Sequence, residues 1–394
     1  MKLTDALSSK GARRGAKTLC ASLCLFCATL HSQAAAQELS GYVTGMPSVI
    51  AAQPSGDTWW QAMAHNRLNF GWQLSKAWRV DAGARTRFIT GSEAMVDPEA
   101  TGADMGWADL SWSLASGKNA LLNTSVDRLL VTLEKEKWQL QLGRQRINWG
   151  QTFVWNPNDI FNTHSFFDFD YPERPGCDAF RATCYHSETA SSELAVSVSH
   201  EGKTTAALLH HWSWKNIDYQ LIAGEQAQAD VVLGGACTGD LGGLNLRGEF
   251  SFFHPLKNFS DTATTIAASV GLDYTFGSSL MLQAEALYNN VGDIFAGSGL
   301  MGLYSAPLSA KYLSICDWNV FGQASYPVTP RLNAAVSTMY FVDVNACYAG
   351  ISVDYSIAEN LDFSFIAQYF STLGNSGLSE MQTILAFTRI KYSF

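Results

Sequence analysis

Polar and apolar residues alternate along much of this chain with a period of two, the pattern of strands whose faces meet different environments. Between Trp60 and Leu74, one face carries Leu68, Phe70, Trp72 and Leu74, and the other Gln61, His65, Arg67, Asn69 and Gln73. Ser75-Lys76-Ala77 turns the chain, after which Val80, Ala82, Ala84 and Phe88 oppose Asp81, Arg85 and Arg87. Residues 264–276 set Ile266, Ala268, Val270, Leu272, Tyr274 and Phe276 against Thr265, Ser269, Asp273 and Thr275. Leu282, Ala284, Ala286 and Tyr288 then oppose Gln283, Glu285 and Asn289, and the pattern returns at 332–344 and 361–370. A soluble sandwich needs two dry inner faces. So many long strands with a polar inner face predict an all-β transmembrane antiparallel β-barrel, apolar outside and polar within.

Loop lengths give a second handle, because such barrels alternate short turns with long connections. Short turns fall near 75–78, 135–137, 187–190, 214–216, 237–243, 277–279, 327–331 and 358–360. Long connections fall near 91–122, 148–177, 255–262, 291–311 and 371–382. The alternation closes with eighteen strands, or sixteen if the weakest drop out. Trp78, Trp138, Trp212, Trp214, Tyr274, Phe276, Tyr326, Tyr392 and Phe394 cluster at predicted strand ends, as an interfacial aromatic girdle would.

Composition narrows the class. Charged residues are 15% of the 394, aromatics 12%, and there are 32 glycines, against about 25% charged in a globular chain. Mean hydropathy is nevertheless −0.01. Lys2, Lys10, Arg13, Arg14 and Lys17 precede an apolar core from Thr18 to Leu30, and Ala34-Ala35-Ala36 offers a cleavage site. Residues 1–36 therefore read as a secretory signal peptide and 37–394 as the barrel domain. The net charge of −9 becomes more acidic once that basic leader is set aside, which excludes nucleic acid as a partner. Five cysteines remain beyond the leader. Cys177 and Cys184 flank the end of a Pro/Gly-rich loop and are expected to bridge. Cys316 and Cys347 form the next expected pair, leaving Cys237 as the free thiol.

Ile384, Ala386, Thr388, Ile390, Tyr392 and the terminal Phe394 share one face. This end resembles the last strand of porin-like barrels, which implies insertion by the barrel-assembly machinery into outer-membrane lipid and lipopolysaccharide, with Tyr392 and Phe394 as the assembly signal. Gly143-Arg144-Gln145-Arg146-Ile147-Asn148-Trp149-Gly150 resembles a feature of outer-membrane barrel families such as the alginate-export-like porins. That resemblance implies a Gram-negative outer-membrane location without naming a cargo.

Hydrolase, metalloprotease, Walker A and Rossmann motifs are absent, so no enzyme is expected. His210 and His211 face opposite sides of one strand, and Asp168 with Asp170 lacks a calcium-loop ligand series; no cofactor or metal is expected. The chemistry on offer is charge. Arg67, Arg85, Arg87, Arg128 and Arg247 fall on the inner face, and a bulge at Gly143 would swing Arg144 and Arg146 inward as well. The aromatic-rich connection 148–177 carries Asp159, Asp168, Asp170 and Glu173 and is expected to fold into the mouth, its acids facing the arginines. The expected function is a pore for passive or substrate-selective passage of small hydrophilic solutes. The alternative is an export conduit or assembly scaffold for polysaccharide or lipid working with periplasmic partners. The sequence leaves the oligomeric state open.

Overall fold

The computed structural model describes residues 37–96, 102–167, 171, 173–290, 309–373 and 381–394. The signal-peptide segment 1–36 lies outside the described residues. The described residues form nineteen strands. They are β1 (Gln37–Gln53), β2 (Thr58–Gln73), β3 (Trp78–Gly91), β4 (Ser111–Gly117), β5 (Ala120–Lys135), β6 (Trp138–Gln145), β7 (Cys177–Ser187), β8 (Ala190–Val198), β9 (Thr204–Trp214) and β10 (Ile217–Gln226). The second half holds β11 (Asp230–Leu241), β12 (Leu244–Pro255), β13 (Thr265–Thr275), β14 (Met281–Asn289), β15 (Trp318–Thr329), β16 (Leu332–Phe341), β17 (Ala346–Ala358), β18 (Leu361–Thr372) and β19 (Gln382–Ser393).

Each strand pairs antiparallel with its neighbours, and β1 pairs with both β2 and β19, which closes the sheet into a ring. The wall has eighteen staves, because β4 and β6 share one edge of β5. β4 pairs with Ala120–Ser125 and β6 with Leu129–Lys135. β4 lies inside the stretch 91–122 predicted as a long connection. It is short and sits end-on to β6, so it lengthens a stave without adding one.

The period of two sorts the side chains as expected. On β16, Val336 (54% exposed) and Tyr340 face out, while Met339 and Phe341 are buried inside. Trp78, Trp138, Trp214, Phe276, Tyr326 and Tyr392 stand exposed beside the short turns, on the rim that also holds both ends of the barrel. An apolar outer belt continuous around the wall is stable only in lipid. No described helix is long and apolar enough to cross a membrane; this chain crosses with strands.

Candidate functional site

Between the end of β6 and the start of β7 the chain leaves the wall and runs through the barrel interior. Ile147, Trp149, Val154, Trp155, Ile160 and Phe167 are all buried there, packed against the inward Phe253, Leu287, Phe321 and Phe341. Side chains this apolar have no stable place in a solvated loop, since each gains about 1.5–3 kcal/mol by burial. Polar contacts fix the route. Trp149 Nε1 donates to Glu193 on β8 (2.7 Å), and Gln220 Nε2 on β10 donates to the Trp149 carbonyl (2.7 Å). Asn158 accepts from Ser251 Oγ on β12 (2.7 Å) and donates to the Gly235 carbonyl on β11 (3.0 Å). Farther on, Phe166 meets Phe321 edge-on at 5.0 Å, and Phe167 meets Tyr348 and Phe370 at 5.2 and 5.3 Å. The segment therefore spans the interior from β8 to β18. Leu313 and Ile315, from the connection before β15, join the same packing.

The return limb meets a wall of arginines. Arg67 and Arg85 are direct cross-strand partners on β2 and β3, both buried. Like charges so placed repel unless something lies between them. Asp127 forms an ion pair with Arg67, and Tyr171 accepts a hydrogen bond from the same guanidinium. The Tyr171 ring also lies under Arg85, 3.9 Å from its guanidinium carbon. Arg87 donates to Asn123 (3.2 Å), and Arg128 donates to the Glu173 carbonyl (2.6 Å). Tyr42 donates to the Glu173 carboxylate at 2.8 Å.

Of the acids expected at this wall, Glu173 reaches it through Tyr42, and Asp168 and Asp170 lie outside the described residues. Asp159 does not meet the arginines. It is fully buried with Oδ2 3.7 Å from His164 Nδ1. Burial holds the His164 pKa below the usual histidine range, with Arg174 and Arg146 acting the same way and Asp159 opposing them. Arg247 faces inward, but its charge is spent on Asp273 (3.5 Å), the Gln151 carbonyl (3.4 Å) and the Phe153 ring (4.0 Å).

Asp127 was not legible as the partner of Arg67, because the period breaks there. Gly83 pairs with Arg128 and Ala84 with Val126, so Asp127 is an extra residue and both it and Arg128 turn inward. Two adjacent polar residues between the outward Val126 and Leu129 are the signal that could have marked this bulge.

The bulge expected at Gly143 is corrected, since β6 keeps an unbroken register with β5 and β7. Gly143 instead has φ +124°, and a Cβ there would collide with the Leu129 carbonyl. Arg144 accordingly stays on the outward face, and its expected place in the lumen is withdrawn. Its cost there is met by Asp178 (2.7 Å), Asp104 (2.6 Å) and the Ala108 carbonyl (2.6 Å), beneath residues 104–108 that fold over it. Arg146, past the strand end, turns inward with the segment.

The disulfides are corrected too. Cys177 and Cys184 are the first and eighth residues of β7, so roughly 23 Å of extended strand separates them. A bridge needs Cα atoms within about 7 Å. Cys316 precedes β15 and Cys347 lies on β17, with β16 between. These four thiols and Cys237 are all free.

The sequence matches no family model and no curated protein. The fold has counterparts among solved structures. OccK5 (OpdH) of Pseudomonas aeruginosa superposes with a TM-score of 0.59 at 8% identity, over 91% of this chain and 98% of that one. OccAB4 of Acinetobacter baumannii gives 0.56 at 9%, over 91% and 98%. The outer membrane protein OprD of Pseudomonas aeruginosa gives 0.51 at 10%, over 90% and 94%. At such identities the likeness is one of fold, and it places this chain among closed antiparallel barrels built like these outer-membrane proteins.

Proposed function

We propose that this chain is an outer-membrane pore that passes small hydrophilic solutes by diffusion and transient binding, without a covalent step. The observation that carries this reading is a lumen narrowed by the described residues of the β6–β7 connection, with arginines gathered along one side. Arg67, Arg85, Arg87 and Arg128 line that side, and Arg146 enters it with the loop. Fixed charges of one sign in a narrow passage select permeants by sign, the more so where little water screens them. Asp127 and Glu173 offset part of that charge, and the remainder favours anionic solutes.

Reconstitution into planar bilayers tests the reading, with discrete conductance steps expected for the wild type. R67S/R85S removes the positive side, so conductance should rise and the reversal potential should shift toward cations. Absence of steps from correctly assembled protein would sink the pore. Unchanged selectivity in the double variant, together with a lower melting temperature of the barrel, would assign the arginines to wall stability with Asp127.

A further inference from the structure

We propose, on the pore reading above, that Glu249 and Glu285 set the width of the passage by clamping the backbone of the lumen segment. Both carboxylates face inward, on β12 and β14, with β13 between them. Glu249 Oε2 accepts from the backbone N–H groups of Gln151 (2.6 Å) and Thr152 (3.2 Å) and from Thr152 Oγ1 (3.2 Å). Its other oxygen accepts from the Asn158 N–H at 2.6 Å. Glu285 Oε2 accepts from the N–H groups of Phe153 (2.9 Å) and Val154 (3.1 Å). Its Oε1 accepts from the Trp155 N–H and from Ser269 Oγ, both at 2.9 Å. Two side chains thus take up every backbone N–H from Gln151 to Trp155, and that of Asn158.

Consecutive N–H groups converging on an anion make a strong, directional site. Here the anions belong to the wall and the donors to the segment, so the segment's position follows from the spacing of two glutamates. The arrangement has a second effect. A carboxylate wrapped in peptide N–H groups presents little field to a passing solute. The two glutamates are therefore withdrawn from the electrostatics of the passage, and the arginines opposite dominate it.

The test is E249Q/E285Q. Glutamine keeps the shape but offers one acceptor oxygen and an NH2 that faces the N–H donors. The double variant should assemble as a heat-modifiable barrel and conduct at least about twofold more than wild type, with ion selectivity little changed. Protease added from outside should cut it between residues 151 and 158, where the wild type resists. Adding N158C/S251C, a pair hydrogen-bonded in the native protein, should restore wild-type conductance when oxidised and lose it again under reductant. An assembled double variant with wild-type conductance and protease resistance overturns the clamp. So does a shift toward anions at constant conductance, because the glutamates would then act as free charges. If the double variant does not assemble, E249Q and E285Q are read singly, and unchanged conductance and protease resistance in both overturn it. Release of the segment in a protein whose wild type shows no channel steps would retain the clamp and remove the pore.

Discussion

Asp127 shows how much a single residue supports in this interior. It is the wall carboxylate that pairs with the Arg67 guanidinium beside Arg85, with 6% of its side chain exposed against 2% for Arg67. Removing one member of a buried ion pair costs more than the pair contributes, because the other charge is left stranded. D127N is expected to cost about 3–5 kcal/mol, read as a lower temperature for the gel shift from folded to unfolded barrel. A variant that melts like wild type would show that Tyr171 and Asn69, which accepts from Arg67 Nε at 2.7 Å, suffice for Arg67. His164 gives a pH dependence. Its pKa is lowered in the docked segment, so docking is fully favoured above the ordinary histidine value and weakens as pH falls through it, since a released histidine takes up the proton first. Protease cleavage of residues 146–176 should therefore rise between about pH 7 and pH 5, and H164F should abolish that rise. Asp159, Arg146 and Arg174 surround the imidazole and are common to both proteins. A rise that survives in H164F would assign it to another group.

At the scale of elements, alternation and turn chemistry located the wall, because lipid and lumen impose opposite demands on neighbouring side chains. The short turns predicted near 75–78, 214–216 and 358–360 fall between β2 and β3, β9 and β10, and β17 and β18. The pattern loses its meaning where those two environments stop applying. β4 lengthens a stave, the bulge at Asp127 inverts the period, and Arg144 is polar on the outward face because a separate segment covers it. The lumen segment was legible as apolar, but its anchors were not, since Glu249 and Glu285 look like any inward glutamate until the chain that docks on them is placed. The last strand carries its own test. The Phe394 and Gly41 backbones exchange two hydrogen bonds of 2.9 Å, and a Cβ on Gly41 would lie 2.9 Å from the Phe394 ring. Phe394 thus covers a glycine at the seam that closes the barrel, an arrangement known to stabilise sheets. Deleting Phe394 should lower assembled protein in the outer membrane while leaving export intact, measured by fractionation. Normal levels would mean that neither seam nor recognition needs the ring.

The whole molecule is a ring whose interior is made largely from its own connections. Residues 146–167 and 309–317 fill space that the wall encloses, so closure and narrowing arise from one continuous packing. The even number of staves brings β1 and β19 together on a single rim, with the turns at 74–77 and 215–216, while the turn at 54–57 and the long connections lie on the other. This parity makes each connection an address that can be read from one compartment only. A short epitope inserted between Ser55 and Gly56 should bind antibody on intact cells. The same epitope between Lys215 and Asn216 should stay silent until the envelope is permeabilised. Reversal of the two signals would turn the protein upside down in its membrane, with its long connections facing the periplasm.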